Sequence, residues 1–138
     1  MFSEPASISS VSRTKFRLAG GAQPLILVPV HVLRFAVDTG TSTTAISPRL
    51  ARELNLRTAA IGPVSTGGAA INASATRIES LAIDGALLRD ADVIVGEFLE
   101  MLGKAIGTQL DGIVGYNFLK HYKVVIDYPN EIFALLPP

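Results

Sequence analysis

The chain has 138 residues, of which 12 are basic and 12 acidic, so its formal net charge is zero; 49% are apolar, 17% charged and none is cysteine. That length fits one domain with a sizeable core but not two full lobes, and the apolar content argues against disorder. With no basic stripe, nucleic acid is not an expected partner; with no cysteine, disulfides and thiolate metal sites are excluded and the compartment stays open.

Only two histidines, His31 and His121, are present. They are too few for a His-rich metal cluster and read as surface or strand-edge residues, so neither metal nor cofactor is expected. The longest apolar run, Leu25 to Val37, is short and broken by Pro29, His31 and Arg34, so no membrane span is expected. Met1-Phe2-Ser3-Glu4-Pro5-Ala6 lacks the basic start and apolar centre of a secretion signal.

In chain order, residues 1–13 are Ser-rich and aperiodic and read as a flexible arm, ahead of one domain over 14–138. Phe16 and Leu18 alternate with Lys15 and Arg17, which predicts a first strand ending at Gly20-Gly21. Pro24 to Val32 is β-rich, but Pro29 cannot donate to a ladder and predicts an edge or a bulge. Leu33 to Val37 lead into Asp38, with no Gly, Asn or Asp between Val32 and Phe35 for an ordinary hairpin turn.

Beyond Asp38 comes a hydroxyl-rich stretch, Thr39 to Thr44, before Ala45-Ile46 resume a strand. Ser47-Pro48 read as an N-cap and first-turn proline opening a short helix through Leu50 and Leu54, with its stop at Asn55. Arg49, Arg52 and Arg57 read as the solvated face of that helix. Ile61 to Ile78, centred on Thr66-Gly67-Gly68, reads as a mobile hairpin with a glycine tip. Leu81-Ala82-Ile83 and Val93-Ile94-Val95 are two more strands about a turn at Asp84-Gly85. Phe98 to Gln109, which contains Gly103 and Gly107, reads as a linker with Leu99, Met101 and Leu102 laid on the core. Asp111 to Gly115 is a buried strand, Tyr116 to Tyr122 a short helix, and Val124 to Asp127 with Ile132 to Leu135 a closing hairpin about Tyr128-Pro129-Asn130. Short strands, regular turns and little helix predict an all-β, closed, barrel-like domain with one or two short helices.

The chemistry centres on Asp38. An apolar strand that ends on an acid and then breaks on Gly40 presents a charge in a costly place. Cleaving a peptide bond with water needs one group to take a proton and another to give one. Two carboxylates a few ångströms apart do both, because like charges that close share a single proton. Asp84, Asp111 and Asp127 do not repeat the Asp38 setting, so one chain supplies one carboxylate. A two-fold homodimer completes the pair. Gly40 lets the backbone pass close behind the acid, and the hydroxyls of Thr39 and Thr41 hold the loop and donate to it.

Ala36-Val37-Asp38-Thr39-Gly40-Thr41-Ser42 resembles the Asp-Thr-Gly loop of the retropepsin-like aspartic proteases, the single-lobe relatives of pepsin. The resemblance runs from about Leu25 to Leu135. Gly67-Gly68 falls where that family has its flap tip, Gly112-Ile113-Val114-Gly115 resembles the strand that backs the catalytic loop, and Tyr116-Asn117-Phe118-Leu119 fits the short helix after it. The resemblance implies a closed acid-protease lobe, active as a homodimer on peptide or protein substrates, without cofactor. Asp38 is then general base with its mate as general acid, Thr39 ties the two loops across the axis, and Gly67 and Gly68 belong to a flap over an extended peptide. Two places differ. Val32 to Phe35 lacks the family's glycine-containing hairpin, and Ser42 and Tyr116 stand where retroviral members have an acid and an arginine.

Plainer alternatives exist for each feature. Asp38 also suits a turn or N-cap aspartate, and Gly67-Gly68 an ordinary hairpin. A haloacid-dehalogenase nucleophile would need a second Asp where Gly40 stands. The competing reading from another class is a non-catalytic dimerisation or peptide-binding module that keeps the acid-protease fold.

Overall fold

The computed structural model describes residues 12–21, 25–30, 33–66 and 69–138. Its elements in chain order are β1 (Ser12–Lys15), β2 (Arg17–Ala19), β3 (Leu25–Val30), β4 (Leu33–Val37), β5 (Ala45–Ile46), α1 (Pro48–Glu53), β6 (Ala59–Thr66) and β7 (Ala69–Ile83). There follow β8 (Ala86–Gly96), α2 (Phe98–Ile106), β9 (Gly112–Val114), α3 (Tyr116–Leu119), β10 (Lys123–Asp127) and β11 (Ile132–Leu136). The expected first strand is split: Phe16 is buried between β1 and β2, where the chain passes from one sheet to another.

The strands form an eight-stranded sheet in the order β2-β3-β4-β9-β5-β8-β7-β6 and a three-stranded sheet in the order β1-β11-β10. The mostly-β expectation holds, but the closed barrel does not: among the described residues no sheet closes on itself. The physical reason is a second layer. Closure requires the edges β2 and β6 to meet, whereas here the small sheet and α3 cover the open face. Phe133 and Leu135 of β11 and Phe118 and Leu119 of α3 share one cluster with Phe35, Val37 and Val28 of the large sheet. Phe35, Phe118 and Phe133 are each under 2% exposed, and burying such a side chain contributes about 1.5–3 kcal/mol.

Local chemistry sets several element ends. Ser47 Oγ accepts from Leu50 N–H at 3.1 Å and Pro48 opens α1, while Asn55 adopts φ 53° and stops it. Pro29 pairs only with Arg34 of β4, because β2 covers β3 only as far as Leu27, so its missing N–H faces no strand on that side. The β3–β4 pair closes at Val30↔Leu33; the connecting residues, His31 among them, lie outside the described residues.

The expected linker at Phe98–Gln109 is instead α2. Its glycines mislead because they serve packing. A Cβ on Gly103 would sit 2.8 Å from the Thr108 carbonyl oxygen. Gly107, at φ 77°, ends the helix in the left-handed region, and Thr108 N–H bonds Gly103 O at 3.0 Å.

At the β10–β11 turn, Asp127 accepts from Asn130 Nδ2 at 2.8 Å and from Asn130 N–H at 3.2 Å. These bonds, the side-chain one first, hold its carboxyl below the usual Asp range, with Arg13 and Lys15 adding to the effect. The turn's contribution is therefore complete above the unfolded pKa and is lost as pH falls through the lowered folded value. A carboxyl NMR titration should place the Asp127 midpoint below an ordinary Asp, and Asn130→Ala should return it toward that value. An unchanged midpoint in the variant would refute the assignment.

Candidate active site

The loop carrying Asp38 leaves β4 and returns as β5, and these two strands lie on either side of β9. β9 runs parallel to β4, with Phe35↔Gly112 and Val37↔Val114, and antiparallel to β5, with Ala45↔Ile113. The ladder continues one step, since Asp38 N–H bonds Val114 O at 3.1 Å. The loop thus arches over the end of a buried strand, and Asp38 is exposed at its start.

Both carboxylate oxygens of Asp38 are held. Oδ1 accepts from Gly40 N–H at 2.9 Å and Oδ2 from Thr41 Oγ1 at 2.7 Å, while Thr41 N–H returns to the Asp38 carbonyl at 3.3 Å. A Cβ at position 40 would lie 3.4 Å from Asp38 Oδ1, an ordinary van der Waals contact, so the close passage expected behind the acid is not what calls for glycine here. Thr39 is exposed, and its hydroxyl has no hydrogen bond among the described residues.

Beneath the loop is a polar clamp. Thr44 is fully buried; its Oγ1 donates to Asn117 Oδ1 at 2.8 Å and accepts from Gly115 N–H at 3.0 Å. Asn117 Oδ1 also accepts from Thr44 N–H at 2.8 Å, and its Nδ2 donates to Asp92 O at 3.1 Å. The first N–H groups of α3, which have no partner within the helix, reach the loop: Tyr116 N–H to Thr41 O at 2.7 Å and Asn117 N–H to Ser42 O at 3.1 Å. Every buried polar group in this set has a partner, so the network fixes the loop rather than straining it. The sequence reading singled out Thr39, Gly40 and Thr41 and passed over Thr44 and Asn117. The hydroxyl cluster hinted at Thr44, but only the fold pairs it with Asn117.

Of the predicted backing strand, Gly112, Ile113, Val114 and Gly115 are all buried under the loop. A Cβ on Gly112 would strike the Phe35 ring, and one on Gly115 would lie within 2.9 Å of Thr41 O and Thr43 O. Gly67 and Gly68 lie outside the described residues. The strands beside them do pair, from Ala59↔Ala75 out to Thr66↔Ala69, with a bulge between Ala60 and Gly62, where Gly62 has φ 82°. β8 stops pairing at Ala73↔Gly96, so the last four β6–β7 pairs extend past the sheet as a two-stranded ribbon.

The other aspartate of interest, Asp111, does not join the site. It is buried four residues' length of β4 away, beside Arg34. Its carboxylate accepts from Arg34 N–H at 2.9 Å, from Gln109 Nε2 at 2.9 Å and from Arg49, which also pairs with Glu53. Arg49 is therefore not merely a solvated helix residue: it neutralises a buried charge. Among the described residues no group of three His, Cys, Asp or Glu is placed to hold a metal ion, and no helix is long and apolar enough to cross a membrane.

A family profile described as aspartyl protease matches residues 28–118. Comparison with curated proteins gives no significant match. Among solved structures, the crystal structure of a retropepsin-like aspartic protease from Rickettsia conorii is similar, with a TM-score of 0.59 and 20% identity over 86% of this chain and 95% of that one. At that identity the likeness is one of fold.

Proposed function

The chain belongs to the aspartyl protease family as a retropepsin-like member, and on that premise we propose that it is an endopeptidase whose two catalytic carboxylates are Asp38 from each of two copies. The observation that carries this reading is the carboxylate itself: exposed, and oriented at both oxygens by Gly40 N–H and Thr41 Oγ1. No second acid is tied into its network among the described residues. Asp111 is committed to Arg49 and Asp92 to Arg77.

In the proposed reaction a water lies between the two Asp38 groups. One, as carboxylate, takes a proton from the water as its oxygen attacks the scissile carbonyl carbon. The other, in its acid form, gives its proton to the carbonyl oxygen, which yields a neutral tetrahedral diol without a covalent enzyme intermediate. The proton taken from water then passes to the amide nitrogen as the carbon–nitrogen bond breaks, while a diol hydroxyl returns its proton to the second Asp38, leaving an amine, a carboxylic acid and the pair with its single shared proton. Thr39, exposed beside the acid, is assigned the contact between loops across the axis. The ribbon ending in Gly67-Gly68 is assigned to close over an extended peptide and exclude water.

A dimeric site makes activity depend on concentration. Cleavage of a peptide mixture at mildly acidic pH should fall faster than linearly as the protein is diluted, in step with a dimer-to-monomer transition in sedimentation. Linear dilution behaviour by a strict monomer would refute the dyad. No cleavage at any concentration, with a dimer present, would favour the non-catalytic binding module.

A further inference from the structure

We propose that Arg17, Arg34 and Thr108 form a binding site for a phosphate group, free or carried as a monoester. The site lies at the far end of β4 from Asp38, roughly 13 Å away at about 3.3 Å per strand residue. It does not depend on the peptidase reading.

Strand register brings the two arginines to one face. Arg17 opens β2 and pairs with Leu27; Leu27 pairs in turn with Ala36, and Pro29 with Arg34. Paired residues share a face of the sheet, as do residues two apart on one strand. Leu27 and Ala36 belong to the cluster that includes Leu99 of α2, so Arg17 and Arg34 lie on the α2 side. The end of that helix delivers the third member. Gly107 turns the chain at φ 77°, and Thr108 N–H bonds Gly103 O at 3.0 Å. The Thr108 hydroxyl is thereby set between the two guanidinium groups. It accepts from Arg34 Nη1 at 2.5 Å and from Arg17 Nη2 at 3.5 Å.

The chemistry of this trio is one-sided. A hydroxyl oxygen has two lone pairs and one hydrogen, and a guanidinium only donates. Both lone pairs of Thr108 Oγ1 face arginine N–H groups, so its hydrogen is left to donate outward. Three donors and two positive charges therefore converge with no acid to answer them. Ion pairs among the described residues use Arg49 and Arg77, not Arg17 or Arg34. Asp111 is already held by Arg34 N–H, Gln109 and Arg49. The carboxyl end of α2 offers about half a negative charge, which leaves more than one positive charge unmatched. A phosphate dianion supplies the missing charge and acceptor oxygens, and the planar arginine fork matches it. A carboxylate supplies half that charge.

Beside the trio lies a cavity of about 330 Å³, walled by Lys15, Arg17 and Arg34 and by Leu27, Pro29 and Leu33, with no acidic residue among those described. It follows the edge of β3 that β2 leaves uncovered beyond Leu27. Small-ligand pockets run from about 300 to 1,000 Å³, so an ester's organic part has room against Leu27 and Leu33. Lys15, at the rim, donates to Asn130 O at 2.8 Å and adds a third positive charge.

The test uses the full chain labelled with ¹⁵N, titrated at constant ionic strength with inorganic phosphate, phenyl phosphate and benzoate. Both phosphates should give saturable shifts at Arg17, Arg34 and Thr108, with benzoate binding more than tenfold weaker. Tighter binding of phenyl phosphate, with added shifts at Leu27 and Leu33, assigns the site to an ester. Equal or tighter binding of inorganic phosphate assigns it to the free ion. Arg17→Gln and Arg34→Gln should each weaken phosphate binding by roughly 10- to 100-fold, and Thr108→Val by about 3- to 10-fold. Arg77→Gln, which breaks an exposed pair with Asp92, should leave it unchanged. Arg17 is exposed at the sheet edge, so its variant carries the test even where Arg34→Gln lowers the melting temperature. Absence of saturation, benzoate within tenfold of phosphate, or indifference to Arg17→Gln would overturn the inference. The two arginines would then only balance the carboxyl end of α2.

Discussion

Asp38→Asn is expected to lower peptide cleavage by about 10⁴-fold, because the base and the acid of the reaction vanish together. The fold should persist. Asn is isosteric: its Oδ1 can still accept from Gly40 N–H, and the Thr41 hydroxyl, now 2.7 Å from Asp38 Oδ2, can turn to accept from the new amide. The residue is exposed, so the melting temperature should be nearly unchanged. Mixing the two chains tests the shared site. At fixed total protein, an equimolar mixture of wild type and Asp38→Asn should retain about one quarter of wild-type activity, the share of wild-type pairs under random exchange. One half would mean that each chain works alone, and the dyad would be abandoned.

Gly115→Ala should damage the site from below. The backbone there is ordinary, with φ −107°, so the penalty is steric. The new Cβ would meet the Thr43 carbonyl carbon at 2.8 Å and the Thr41 and Thr43 carbonyl oxygens at 2.9 Å. All three are backbone atoms of the Asp38 loop, pinned by Tyr116 N–H and the Thr44–Asn117 clamp. Overpacking of this kind costs about 1–3 kcal/mol. Its effect on rate should be larger, since a shift of about 1 Å in a catalytic group can cost about 100-fold. Thermal unfolding and kcat, the latter measured well below the melting point, separate the two effects. Gly112→Ala is the control, because its Cβ would strike the Phe35 ring and the Ala45 carbonyl. It should lose comparable stability and less of the kcat. A Gly115→Ala chain with unaltered kcat would show that the loop gives way freely.

Features that depend on neighbours in sequence were legible in the chain itself. Ser47-Pro48 and Asn55 bound α1 because caps are local hydrogen bonds and local φ values. The Asp127–Asn130 turn is local in the same way. The Thr41 bond to Asp38 was readable because its donor sits three residues away; the donation expected of Thr39 is not made, and Gly40 N–H holds the other oxygen instead. α2 was not, since its glycines look like helix breakers until the Thr108 backbone is seen against Gly103. Nor was the role of Arg49, whose partner Asp111 is 62 residues distant.

The sequence by itself thus determined the family and the local frame of the Asp38 loop, because each is written in short-range spacing. Tertiary structure alone decided the rest. It opened the expected barrel into a large sheet covered by a small one, because Phe133 and Leu135 needed a face on which to be buried. It joined Thr44 to Asn117 beneath the loop, a contact across 73 residues. It also set α2 on the face of the sheet that carries Ala36, Ala45 and Ile113, since which side of a sheet a helix covers depends on long-range packing that no local pattern encodes.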